Sequence, residues 1–334
     1  MAALRRHRPA VLLGLALLVL LAALASVMIG ARTVPPAGVW SALLAPSGGE
    51  EDIVVRSLRL PRTAFGLLAG TALGVAGALA QGHTRNPLAD PGLLGVTQGA
   101  AFAMVLGIFT FGVTGMGTYI WFGFAGALVA SVLVFVLGGA GRGGATPLTL
   151  ALAGAAVTAG LHGLVAGLVL LDRQAMDTYR FWQAGALAGR DAGLLAGLLP
   201  FVLLGLVLAM LNAPGLNALA LGEDVARSLG HRIWLTRAVG IAAITLLTGA
   251  AVAACGALAF LGLIVPHLAR ALSGPDHRWL LPFSALLGAA LLLAADVTGR
   301  LVARPGELEV GIMLALIGGP FFIALVRRRK PVRL

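Results

Sequence analysis

Three groupings in this chain could do chemistry or carry force. Asp296 and Arg300 stand four apart inside an apolar run. On a helix that spacing puts a carboxylate and a guanidinium one turn apart on the same face, where they pair. A lone Asp at the centre of a membrane helix costs about 2.5–3.5 kcal/mol on insertion scales, so Asp296 must face protein or water. Its spacing favours a structural pair with Arg300; the competing reading is a coupling acid for an ion-driven carrier. His162, also within an apolar run, could line a pathway or ligate haem, although a lone His is more often a satisfied core residue. No HExxH, CxxC or paired-His motif accompanies it, so no metal site is expected. The third grouping is Leu221-Gly222-Glu223-Asp224-Val225-Ala226-Arg227-Ser228-Leu229-Gly230. Acids at the start, a base one turn on and a glycine at the end specify a short helix. Leu219, Leu221, Val225 and Leu229 supply apolar knobs, which suit docking to a partner or lying on lipid.

The elements that must hold these residues are membrane spans. Of 334 residues, 59% are hydrophobic and 11% charged, too few charges to clothe a soluble domain of this size. Mean hydropathy is +0.97. The single cysteine, Cys255, excludes an internal disulfide framework. Ten apolar runs are long enough to cross a bilayer: 9–31, 63–82, 92–112, 119–139, 149–171, 193–212, 237–254, 257–272, 280–300 and 309–326. The seventh and eighth merge into one apolar stretch, and Gly256 between them suggests a tight connection; nine spans is the fallback. The first run could instead be a cleaved signal peptide, with Arg5, Arg6 and Arg8 before it and Ala23-Leu24-Ala25 after its core, but its length argues for a span. The expected fold is therefore an all-α polytopic membrane protein, one domain over 1–334. Its longest polar connections are 32–62, 172–192 and 213–236. Gly66, Gly70, Gly74 and Gly77 recur every three or four residues on one span, the spacing that lets helix backbones approach.

Charge placement orients the chain. With ten spans, fifteen of the 24 basic residues fall on the side of both termini, with only Asp90, Glu223, Asp224 and Asp276 among the acids. The positive-inside rule then puts both termini in the cytoplasm. The basic tail Arg327–Lys330 meets anionic headgroups. The formal charge of +11 does not indicate nucleic acid, because no basic stripe alternates with aromatics. The only lysine is Lys330, so no GxxxxGK[ST] phosphate loop exists upstream and the chain is expected to have no ATPase site of its own. A nearly uncharged interior suits a conduit powered from outside better than an ion-coupled carrier.

Several motifs in order carry a resemblance. They are Arg59-Leu60-Pro61-Arg62, Gly77-Ala78-Leu79-Ala80-Gln81, Arg85-Asn86-Pro87-Leu88-Ala89-Asp90-Pro91, Leu221-Gly222-Glu223 with Ala226–Gly230, Phe260-Leu261-Gly262-Leu263-Ile264-Val265-Pro266-His267 with Arg270, and Asp276-His277-Arg278. Together, from about residue 53 to 326, they resemble the permease family of iron-siderophore, haem and cobalamin importers. The resemblance implies a ten-helix subunit of a type II ATP-binding-cassette importer. It implies a second permease subunit (a copy or a paralogue), two separate ATPase subunits carrying ATP and Mg, and an extracytoplasmic binding protein. It implies a multi-pass protein of the cell membrane, with no cofactor bound by this chain and a ferric siderophore as the favoured cargo. By the same resemblance Leu221–Gly230 seats in the ATPase cleft. Arg59, Arg62 and Arg300 are exposed partners for acids on the binding protein. Asn86, Pro87, Asp90, Pro91, Pro266 and His267 are structural motif residues, and the fifth span lines part of the path. Thr146, Pro147 and Leu148 align with a cytoplasmic gate without matching it side chain for side chain. Glu309 stands where the family commonly has Pro, so the tenth span is expected to start differently.

Overall fold

A computed structural model describes residues 7–113, 115–140 and 146–327. The chain is helical throughout, and no strand occurs among the described residues. In order the helices are α1 (Arg8–Met28), α2 (Pro36–Leu44), α3 (Glu50–Thr84, π-helical over Ile53–Arg59), α4 (Val96–Phe111), α5 (Met116–Gly139), α6 (Pro147–Leu171), α7 (Arg173–Ala184), α8 (Ala192–Ala220), α9 (Glu223–Ser228), α10 (Ile233–Cys255), α11 (Leu261–Ser273), α12 (His277–Val302) and α13 (Val310–Arg327). Seven of them are long and apolar enough to cross a membrane: α1, α3, α5, α6, α8, α10 and α12. Three shorter apolar helices, α4, α11 and α13, fall on the other expected spans.

Several boundaries differ from expectation. The second span is preceded by thirteen helical residues, because Glu50–Asp52 begin a helix that runs through Pro61 without a break. Pro61 sits in the first turn of the regular α-helical part, where its missing N–H costs least. The connections 32–62 and 172–192 contain α2 and α7, and α8 continues through Pro214 to Ala220. The turn at Gly256 is tight as expected: Gly256 has φ 81° and its N–H donates to Val252 O. The tenth span begins where the apolar run does, with Glu309 O accepting from Ile312 N and Met313 N.

α3, α10 and α12 form the buried centre, and α1, α6 and α8 lie outside. The glycine stripe explains how α3 and α12 meet. A methyl on Gly70 would sit 2.6 Å from Ala289 Cα, and one on Gly74 would overlap the Ser284 carbonyl. Gly288 of α12 lies reciprocally against the Gly70 backbone. Gly77 meets the Gly262 carbonyl of α11. That carbonyl is free because Pro266, four residues on, has no N–H.

Gly70→Ala and Gly74→Ala must push two backbones apart, whereas Gly160 of α6 has open space around it. Overpacking of this kind costs about 1–3 kcal/mol. Thermal unfolding of the detergent-solubilised chain should fall by several degrees for the first two substitutions and stay unchanged for Gly14→Ala of α1, which also has open space around it.

Candidate functional site

At one end of the bundle, two arginines converge on the end of α1, and a third joins them through Asp296. Arg59 donates to the carbonyls of Val27 (2.8 Å), Met28 (2.9 Å) and Arg32 (2.6 Å). Arg300 donates to Ser26 O (2.9 Å), Ile29 O (2.6 Å) and Ser26 Oγ (2.9 Å). The free carbonyls at a helix C-terminus are natural acceptors for cations. Asp296 has no exposed surface, and both its oxygens are occupied. Arg300 Nη2 lies 2.7 Å from Oδ2, and Arg62 donates through Nε and Nη2 at 2.8–3.1 Å. Arg62 also reaches Glu307.

The expected Asp296–Arg300 pair is therefore present, enlarged by Arg62 from another helix. With both oxygens engaged by guanidinium groups, Asp296 is a structural acid, and nothing favours it as the coupling site of an ion-driven carrier. The expectation that Arg59, Arg62 and Arg300 stand exposed is corrected: they are 4%, 8% and 1% exposed. Their outer edges border a cavity of about 390 Å³ shared with Arg32 and Glu307. Glu309 is half-buried nearby.

The opposite end carries the 221–230 segment. Gly222 has φ 117° and Gly230 φ 83°, so both ends of α9 use conformations that favour glycine. Ala226 is fully buried against Ala218, Leu219 and Ile233. Leu219 thus points inward and is not an outward knob. Leu221, Val225 and Leu229 are exposed as expected, with Trp234 beside them in sequence terms on α10. Glu223 is the fastening. Its Oε1 accepts from Arg237 of α10 at 2.5 Å, and its Oε2 from Arg227 at 3.3 Å. Arg227 also bonds Asp224 (3.0 Å). Ser228 closes the helix on Val225 O.

The segment rests on a polar layer. Arg85, a non-glycine residue at φ 49°, donates to Leu219 O at 2.6 Å. Asn217 donates to Asp276 Oδ1 (2.6 Å) and accepts from His277 N and Nδ1. Burial would raise the Asp276 carboxyl, but bonds from Arg278 N and Asn217 outweigh it and hold the group below its ordinary range. Asn86 Oδ1 accepts from Leu88 N, and Asp90 Oδ1 from Gly92 N, capping the turn at Pro91. Pro91 lies against Gly262, and Pro87 falls within the Asn86 turn. Pro266 is buried in α11, and His267 Nδ1 lies 3.0 Å from Leu263 O. These six act in loop and helix geometry.

The path residues are not gathered. Thr146 caps α6 in a reciprocal box with Thr149, Pro147 is the first helical residue, and Leu148 is exposed. His162 lies on the same helix, roughly 20 Å away at 1.5 Å per residue. It is exposed beside a cleft of about 490 Å³ that also borders Asp90, Gln98 and Thr158. Sequence reasoning missed Arg237 and Asn217. Both lie in or next to the 213–236 connection, but their partners are set by the fold.

The chain is thus a polytopic helical bundle with a short helix exposing apolar side chains at one end and a buried ion cluster at the other. The FecCD transport family matches residues 17–328, and the chain belongs to that family. It is 48% identical to the ferric enterobactin transport system permease protein FepD of Escherichia coli (strain K12), over 95% of this chain and 94% of that one. It is 35% identical to the hemin transport system permease protein HmuU of Yersinia pestis, over 98% of each. A metal-chelate type ABC transporter solved in an inward-facing conformation matches with TM-score 0.84 and 31% identity, over 95% of this chain and 99% of that chain. The protein is thus a multi-pass transmembrane permease of an ABC importer.

Breaking the ion cluster from one side should be costly. Asp296→Asn leaves Arg62 and Arg300 buried without their acid, and such a loss costs about 3–5 kcal/mol. The yield of folded, detergent-stable chain should drop sharply. Normal yield and thermal stability would show that the cluster does not hold α1, α3 and α12 together.

Proposed function

We propose that this permease moves a ferric siderophore into the cytoplasm, driven by two ATPase subunits that carry ATP and Mg and fed by an extracytoplasmic binding protein. The observation that supports it most is the match over nearly the whole chain to a ferric enterobactin permease. The lone lysine at 330 supports a chain with no ATPase site of its own and no cofactor. The positive-inside rule supports a cell-membrane protein with both termini, and α9, in the cytoplasm. In this reading a second permease lies along α6, whose sides are apolar and little buried within one chain. Gly160, Gly163 and Gly167 there leave room for a close neighbour. Arg59, Arg62 and Arg300 border the cavity under the binding protein, reached by its acids from outside.

The ATPase seats on Leu221, Val225 and Leu229, and the Glu223–Arg237 pair transmits its motion to α10. Arg237→Glu should lower uptake by about tenfold or more while the ATPase still co-purifies, and Glu223→Arg added to it should restore part of the uptake. Equal uptake in the single variant would remove this pair from the coupling. Affinity purification of the tagged chain from its native membrane, with mass spectrometry of its companions, tests the assembly. ABC ATPase subunits should accompany it; repeated recovery of the chain alone from active membranes would overturn the reading.

A further inference from the structure

The end of the bundle beneath Ala220 contains a small basic cavity of about 60 Å³ between the ends of α3, α8 and α11 and the start of α12. Its polar lining is Gln81, Arg85, Arg270 and His277. Arg270 is 7% exposed, yet its only side-chain bonds are two long ones, 3.3 and 3.4 Å, to Gln81 Oε1. No carboxylate among the described residues lies within ion-pair distance of it. A buried guanidinium without a counter-charge is costly, and an anion would offset that cost. Arg85 has spare N–H groups beyond the one given to Leu219 O.

His277 narrows the anion's chemistry. Its backbone N–H donates to Asn217 Oδ1, and Asn217 Nδ2 donates to Asp276, so the amide is oriented and Oδ1 is the acceptor. His277 Nδ1 at 2.8 Å must then carry the ring proton. The other nitrogen, Nε2, is buried, has no partner and faces Gly82 on the cavity wall. In the neutral ring it is an acceptor. A fitting occupant offers acceptor oxygens to Arg270 and Arg85 and one O–H to His277 Nε2. Chloride and sulfate have no such proton near neutral pH, whereas a singly protonated phosphate has both. The volume holds about two waters or one tetrahedral oxyanion. Guanidinium forks match oxyanion geometry.

We propose that this cavity is a binding site for a singly protonated phosphate group, free or as a lipid phosphomonoester headgroup. Bound there, it bridges α3, α11 and α12 directly behind the segment that begins at Leu221.

The test uses the full chain in neutral detergent at fixed ionic strength, with gluconate as the balancing anion. Sodium phosphate should raise the unfolding temperature saturably and broaden the phosphorus-31 resonance of phosphate, while equal sulfate does much less. Arg270→Gln should abolish the effect. Arg85→Gln, compared at the unfolding temperature of its own phosphate-free form because it also gives up the bond to Leu219 O, should weaken apparent affinity roughly tenfold, the loss expected for one charge-assisted hydrogen bond. His277→Phe should remove the preference for phosphate over sulfate. In phosphatidylcholine nanodiscs, adding phosphatidic acid separates the sources: if the lipid alone stabilises the chain through Arg85 and Arg270, the headgroup is the occupant. A response to phosphate no larger than to sulfate, or the same response in wild type and Arg85→Gln, would overturn the proposal.

Discussion

The contact between α3 and α12 is the axis on which the rest of the structure depends. Lipid tails are as apolar as the helices, so burial alone gives these helices little reason to associate. Close backbone approach supplies dispersion and polar contact instead, and Gly70, Gly74 and Gly288 permit it. Each end of the same contact is then closed by a polar device. At one end Arg62 of α3 meets Asp296 of α12. At the other, Gln81 of α3 meets Arg270 of α11, and His277 of α12 meets Asn217 of α8. A glycine seam with polar closures at both ends leaves the pair little freedom to slide.

The ion cluster makes the arginines do two things. Asp296 neutralises part of the charge of Arg62 and Arg300, and the carbonyls at the end of α1 accept from Arg300 and Arg59. The first span, little buried over its length, is thereby tied to α3 and α12 through its last turn, where Ser26 and Val27 are buried. A charged group so thoroughly engaged makes its field felt at the adjoining cavity without extending into solvent. In the proposed docking, a fixed basic cavity would meet an acid at a lower entropy cost than long reaching side chains.

What could be read from the sequence follows from the range of each interaction. The Asp296–Arg300 pair, the glycine stripe, the tight turn at Gly256 and the α9 helix are local patterns, and each is present. Arg62 joins Asp296 across 234 residues, which no local period reveals. The same blindness hid the burial of the three arginines. The resemblance implies exposed partners for acids on another protein, but their own partners come from the end of α1 and from α12. α7 was passed over because a hydropathy window seeks uniform apolar runs. It is instead amphipathic, capped by Asp172 at Ala175 N and anchored by buried Trp182. Leu219 looked like a knob because it shares a stretch with Leu221, yet α8 carries it inward before Gly222 turns the chain.

The same distinction describes how a small helix is joined to a large bundle. α9 has six residues and could not persist alone. It is held by Ala226 in a small apolar pocket and by Glu223 on Arg237. Arg237 belongs to α10, whose Gly240 packs against His83 of α3 and Asn212 of α8. His83 and Asn212 bond each other at 2.9 Å. A displacement of α9 therefore reaches three helices through one ion pair and one backbone approach, with no flexible linker between. Because α3 is locked to α12 by glycine contacts, the response open to the bundle is rigid tilting of packed helices, and the outer helices, least fixed by their own chain, are those whose positions can change.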